Sequence, residues 1–172
     1  MAASAAGIDV RPIEFRDIPG FHAAVGAVAA ERLWLARTTP FPLDQAAQFV
    51  TRNIERGHPQ FVADSGDGRV VGWCDVVPSP REVSSHVGVL GMGVVAGYRG
   101  RGIGRQLIGA ALSAAQGRFE QVDLDVYGGN AAAQRLYRGA GFVEQGRKRG
   151  GRKVDGVYDD ILLMTRFFKE PA

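Results

Sequence analysis

At 172 residues, 45% of them hydrophobic, the chain can bury one proper core and needs no second domain. The net charge is only +3, and no apolar run approaches the roughly 20 residues of a membrane span. A single cysteine, Cys74, excludes an internal disulfide and suits a reducing compartment.

Residues 1–7 read as a disordered start, with neither the basic nor the apolar segment of a signal peptide, so a cytoplasmic protein is expected. One domain is expected over residues 8–168, followed by a short tail, 169–172. Ile8, Val10 and Pro12 suggest a first strand. Arg16-Asp17 then opens a helix in which Ile18, Phe21, Val25 and Val28 recur at helical spacing, and this helix is expected to run toward Leu35. Thr38-Thr39-Pro40-Phe41-Pro42 breaks it, and a second helix is expected over about Leu43 to Arg56.

Gln60 to Asp64 and Val70 to Val76 read as a hairpin joined by the turn chemistry of Ser65-Gly66-Asp67-Gly68. Cys74 has no companion motif and is expected to pack in the second of these strands. A proline-bearing loop leads to a central strand from about His86 to Val95. A helix follows, with Ile103, Leu107, Ile108, Ala111, Leu112 and Ala115 on one face. Val122, Leu124 and Val126 alternate with polar residues in the next strand. Asn130 opens a short helix, and the tail forms a hairpin, Phe142 to Arg149 and Tyr158 to Phe167, turning near Val154-Asp155-Gly156.

The stretch from Leu90 to Ile108 joins strand, glycine turn and helix without a gap. Gly100, Gly102 and Gly104 lack the Cβ that would keep a bulky anion from the main chain, and they sit at a helix N-terminus whose first amides have no intrahelical partner. Arg99, Arg101 and Arg105 surround the same turn, so a ligand carrying a diphosphate is expected. A nucleotide-triphosphate loop would need G-x-x-x-x-G-K-[ST], which is missing. A dinucleotide fingerprint keeps a small share, with Asp123 or Asp125 as the ribose acid, although its third glycine position falls on Leu107.

What remains is Arg99-x-x-Gly102-x-Gly104 after an apolar strand, with Asn130-Ala131-Ala132-Ala133-Gln134-Arg135-Leu136-Tyr137 and Gly141-Phe142 further on. These two motifs resemble the coenzyme A loop and the second signature of the GNAT superfamily of acyl-CoA-dependent N-acyltransferases. The resemblance implies a mixed α/β fold whose central, largely antiparallel sheet is flanked by helices and splayed between its fourth and fifth strands. It implies acetyl-CoA as co-substrate, held by Met92, Gly93, Val94, Arg99, Gly100, Arg101, Gly102, Ile103, Gly104, Arg105, Asn130, Ala133 and Tyr137. Gly91 and Gly93 are the residues expected at a bulge that parts the strands, with Met92 and Val94 as backbone partners of pantetheine. Asn130 is by itself a favourable helix cap, and both roles can hold.

The implied reaction carries acetyl to a primary amine by direct attack in a ternary complex. It requires an unprotonated amine, a main-chain donor near Met92 for the oxyanion, and a proton for the departing thiolate. Tyr137 matches the family's general acid, and a phenol of ordinary pKa about 10 is a suitable donor to a thiolate. For the base, the spacing His86-x7-Val94 and the ending Asp155-Gly156-x-Tyr158-x-Asp160-x3-Met164 resemble a branch containing L-amino-acid N-acetyltransferases, which points to His86. Glu82, Asp75 and Asp125 are the alternatives, with a water relay to solvent beside them. Trp34 and Phe41, with Phe49, are candidates for an acceptor pocket and equally for ordinary core aromatics.

The expected acceptor is an amino acid or small amine; a peptide or protein N-terminus and a non-catalytic acyl-CoA-binding module are the other readings. Arg147, Lys148, Arg149, Arg152 and Lys153 form the densest basic cluster, without aromatic interleaving, helix-turn-helix or zinc spacing, so neither nucleic acid nor membrane is an expected partner. No H-E-x-x-H, paired cysteine or clustered histidine marks a metal site. Relatives of this type often pair as a homodimer, and nothing in the sequence marks an interface.

Overall fold

In the computed structural model, which describes residues 7–169, seven strands and four helices alternate along the chain. They are β1 (Asp9–Pro12), α1 (Ile18–Ala30), α2 (Leu43–Arg56), β2 (Gln60–Asp64), β3 (Val70–Pro78) and β4 (Val87–Val94), then α3 (Ile103–Ala115), β5 (Gln121–Tyr127), α4 (Ala131–Gly139), β6 (Val143–Val154) and β7 (Val157–Phe167). The strands form one sheet in the order β1-β2-β3-β4-β5-β7-β6, in which β4 and β5 run parallel. This is the mixed, largely antiparallel architecture expected from the sequence. The expectations for residues 1–6 and 170–172 lie outside the described residues. No described helix is long and apolar enough to cross a membrane.

The chain divides into two compact units, one running to Val77 and including Gly91–Ala115, the other made of Pro78–Leu90 and the residues from Gln116 onward. In the first unit, α1 and α2 cover one face of the sheet. Phe21, Val25 and Val28 of α1 and Ala46 and Val50 of α2 close over Val62, Val70 and Trp73, with the Trp73 and Phe21 rings edge to face at 6.0 Å. Helix α3 lies on the opposite face, burying the six apolar residues expected of it. Arg11 of β1 ties the first turns of chain together, its guanidinium reaching Asp17 at 2.7 and 2.9 Å and Asp64 at 3.0 Å.

Two expectations need correction. Helix α1 ends at Ala30 instead of running toward Leu35, because Arg32 takes a left-handed φ of 59° that no helix can continue through. Helix α2 has the expected limits, closed by Gly57 at φ 63°. In the second unit β5 buries Val122, Leu124 and Val126 as expected. The hairpin is longer than expected, since β6 continues past Arg149 to Val154. A register shift between Lys148 and Arg152 absorbs Gly150 and Gly151, so the two glycines irregularise the strand without ending it. Asp155 and Gly156, with φ of 52° and 80°, make the expected turn.

Candidate active site

The pairing of β4 with β5 covers only Val87–Val89 against Gln121–Asp123, although β4 continues to Val94 and β5 to Tyr127. Beyond Val89 the strand's outer edge is therefore unpaired by β5. Val95 N–H donates to Val71 O at 2.9 Å. Backbone groups of an antiparallel strand alternate from side to side, so Gly91 and Gly93 turn theirs toward β3 and Met92 and Val94 turn theirs outward. Met92 and Val94 are the two residues expected to offer main-chain groups to a ligand.

The two glycines of β4 serve close approach. A Cβ on Gly93 would lie 2.4 Å from the six-membered ring of Trp73, and a Cβ on Gly91 would lie 3.4 Å from Asp75 Oδ1. Trp73 and Asp75 thus stand on the helix-covered face of β3, their side chains against bare backbone.

After β4 the chain makes a short turn at Ala96–Tyr98 and enters the arginine-glycine loop. Gly100 and Gly102 adopt φ of 76° and 81°, and a Cβ on either would meet no atom within 4 Å. The first main-chain bond of α3 runs from Gln106 N–H to Gly102 O at 3.2 Å, so the amides of Ile103, Gly104 and Arg105 lie ahead of it without a carbonyl one turn back. A glycine-lined loop with free amides at the start of a 13-residue helix fits a diphosphate group. Arg101 stacks 5.4 Å from the Tyr98 ring and, like Arg105, stays exposed beside the loop.

Arg99 is placed differently from its neighbours. Its Nε donates to Val94 O at 2.7 Å and its two Nη atoms donate to the Glu31 carboxylate at 2.8 and 2.7 Å. The same carboxylate accepts from Trp34 Nε1 at 3.1 Å. Arg99, and to a lesser degree the indole, holds Glu31 below the usual carboxylate range against a smaller effect of burial. Arg99 therefore anchors the loop to the end of α1, and Trp34 is tied to the same point. Phe41 packs 6.4 Å from Phe21 while its carbonyl lies 2.8 Å from His22 Nε2; it is half-buried at the margin of the core, as are Trp34 and Phe49.

Asp75 is the site residue that periodicity did not single out. It is 7% accessible, accepts no hydrogen bond from any described residue, and burial alone pushes its carboxyl up to about 7. The signal in the sequence is that Asp75 is the one charged residue in the apolar run Val70 to Val77. Near it lie Gln60, its cross-strand partner on β2, and Asn53 of α2, whose Nδ2 donates to Gln60 Oε1 at 2.9 Å. Cys74, on the other face of β3, is fully buried, its thiol pushed up by burial and secondarily by Asp75, as suits a packing residue.

In the second unit Asn130 caps α4, its Oδ1 accepting from Ala133 N–H at 3.1 Å. Tyr137, seven residues later in the same helix, is buried with its ring 6.0 Å from that of Phe142. His86 lies in the exposed turn ahead of β4, its carbonyl accepting from Glu120 N–H at 2.9 Å. Glu82 and Asp125 are likewise exposed. Among the described residues no group of three or more His, Cys, Asp or Glu side chains could hold a metal ion.

Residues 28–142 match the family described as "Acetyltransferase (GNAT) family". The chain is 33% identical over 121 residues to the N-alpha-acetyltransferase RimI of Mycobacterium tuberculosis, covering 70% of this chain and 74% of that protein. It is 31% identical to the mycothiol acetyltransferase of Beutenbergia cavernae over 83% of this chain and 52% of that one, so it spans about half of that relative's length. A solved ribosomal-protein-alanine N-acetyltransferase from Brucella melitensis superposes with a TM-score of 0.84 at 27% identity, over 93% of this chain and 99% of the other. The fold also matches yncA, a putative acetyltransferase from Salmonella typhimurium solved with its cofactor acetyl-CoA, with a TM-score of 0.89 at 17% identity over 96% of both chains. The chain belongs to the GNAT acetyltransferase family and is an acetyl-CoA-dependent N-acetyltransferase.

Proposed function

We propose that the chain transfers acetyl from acetyl-CoA to the primary amine of an amino acid or small amine by direct attack in a ternary complex. The observation that carries this reading is Asp75, an enclosed carboxyl without a hydrogen-bond donor, set against Gly91 of the parted strand and pushed up to about 7. An ammonium entering this site meets a group that can take its proton near neutral pH, which is what an attacking amine needs. A base on the exposed turn, such as His86, has no comparable enclosure.

The amides of Ile103, Gly104 and Arg105, with the Arg101 and Arg105 side chains, hold the diphosphate, and the outward groups of Met92 and the outward N–H of Val94 receive the pantetheine arm. Arg99 supports the loop through Glu31 and the Val94 carbonyl. Asp75 accepts a proton from the amine, Met92 N–H faces the carbonyl oxygen as it gains charge, and Tyr137 gives its phenolic proton to the departing thiolate. Asn130 orders the helix that carries Tyr137. Trp34 and Phe41 border the acceptor. The single buried Cys74 suits the cytoplasm.

A second reading, acetylation of a protein N-terminus, is favoured by the relatives, one named an N-alpha-acetyltransferase and one a ribosomal-protein-alanine N-acetyltransferase. Release of free thiol from acetyl-CoA, measured across free amino acids, simple amines and short peptides with free N-termini, separates the two. Turnover highest with free amino acids or amines is expected. Turnover restricted to peptides transfers the acceptor role to a protein N-terminus, and binding without turnover on any amine would leave only an acyl-CoA-binding module.

A further inference from the structure

A polar chain in the first unit crosses the apolar interior and ends on a donor without an acceptor. It starts at His58, whose Nδ1 lies 3.3 Å from Asn53 Oδ1. It continues through Asn53 Nδ2 to Gln60 Oε1 at 2.9 Å and stops at Gln60 Nε2, which is buried without a partner. Asn53 and Gln60 are 1% and 3% accessible, so solvent does not complete the chain. Its polarity follows from amide chemistry. With the ring N–H donating to Asn53 Oδ1, each amide whose oxygen accepts must offer its NH2 onward, and the last NH2 is that of Gln60. An unmade donor in an apolar interior is costly and calls for an acceptor.

Asp75 is the complementary case. Gln60 and Asp75 are paired across β2 and β3, and directly opposed residues carry their side chains on one face with Cβ atoms about 4.5–5.5 Å apart. An orphan donor and a carboxyl without a donor therefore stand side by side. Around Asp75, β4 presents Gly91 and β2 presents neutral Gln60, which is bonded to neutral Asn53 of α2. Cys74 is its neighbour along β3 on the other face, His58 lies at the far end of the amide chain, and no charged side chain of these elements acts on the Asp75 carboxyl.

We propose that Gln60 is a positioning residue for Asp75: its Nε2 donates to the carboxylate form of Asp75, and Asn53, oriented by His58, keeps a donor rather than an acceptor facing that oxygen. The inference rests on Asp75 being the proton acceptor of the transfer. Each turnover breaks one N–H bond of the ammonium and forms an O–H bond on Asp75; Gln60 stabilises the charged carboxylate before that step and is released after it. A proton lost from Asp75 to solvent restores the contact.

The test compares the pH dependence of kcat/KM for the wild type, Gln60→Met and Asp75→Asn, with folding checked by circular dichroism and thermal melts. Gln60→Met is expected to move the acidic inflection upward by about one pH unit, a roughly fivefold loss at pH 7 that approaches tenfold at lower pH and vanishes at pH 9. Asp75→Asn is expected to abolish the inflection. If Gln60→Met leaves the inflection in place while Asp75→Asn removes it, the positioning role is overturned and the base stands. If Asp75→Asn keeps the wild-type inflection, the base reading itself fails. Should Gln60→Met not fold, Asn53→Leu, which unties the amide from His58, is expected to move the inflection in the same direction by a smaller step; an unmoved inflection there also overturns the proposal.

Discussion

A carboxyl placed as Asp75 is placed has opposite consequences for chemistry and for stability. Its folded pKa of about 7 exceeds the unfolded value of about 4, so between these limits the native state holds a proton that the unfolded chain has released. Stability therefore falls as pH rises from about 4 to 7, by roughly 1.4 kcal/mol per unit, and the deficit persists above pH 7. Asp75→Asn keeps the shape and removes the charge. The substituted protein is expected to melt higher than wild type at pH 8, to match it near pH 4, and to lose transfer activity by about 10²-fold or more. Thermal melts at the two pH values check the first part; a difference that does not vary with pH would contradict burial as the cause. Tyr137→Phe removes only a hydroxyl from a buried ring. A fall in kcat of about 10²-fold with KM for acetyl-CoA little changed is expected, and unchanged turnover would remove the acid role.

At the level of elements, α1 is joined to the arginine-glycine loop by one carboxylate. Glu31 accepts both arms of Arg99, and Arg99 reaches back to Val94. Glu31→Gln replaces a charge-assisted pair with weaker bonds and loosens the loop. A rise in KM for acetyl-CoA of about 10-fold with a smaller change in kcat is expected from steady-state kinetics. The helices themselves were legible: α2 and α3 follow from apolar spacing, and the start of α2 from the prolines that precede it. The end of α1 was not, because Ala27 to Leu35 contains neither Gly nor Pro. Helix propensity lost there to a tertiary bond, the Glu31 carboxylate being drawn to Arg99, 68 residues away in sequence. The extent of β6 was hidden for the reverse reason. Gly150 and Gly151 look like a turn, and pairing with β7 carries the strand through them.

Across the whole molecule, the readable part of the site was the part written in contiguous residues. Arg99 to Arg105 and Asn130 to Tyr137 each lie in one turn or one helix, so their spacing survives in the sequence. Asp75, Gln60 and Asn53 meet only through strand register and a helix packed over it, and no local pattern records that meeting. The same sheet explains the basic cluster that found no ligand. Strand β6 forms an edge, 12 residues long, and carries Arg147, Lys148, Arg149, Arg152 and Lys153 along it. Charges on an edge strand discourage pairing with a second chain. Replacing Lys148 and Arg149 together by threonine is expected to leave transfer activity intact and to increase self-association, measured by light scattering against concentration. The early end of the β4–β5 ladder has one more consequence. In most sheets the middle strand surrenders its amide protons last, whereas here Met92 and Val94 have no strand on their outer side after Val89. In deuterium oxide those two amides are expected to exchange early, a fast spot inside an otherwise slow strand, and to become protected when acetyl-CoA is added.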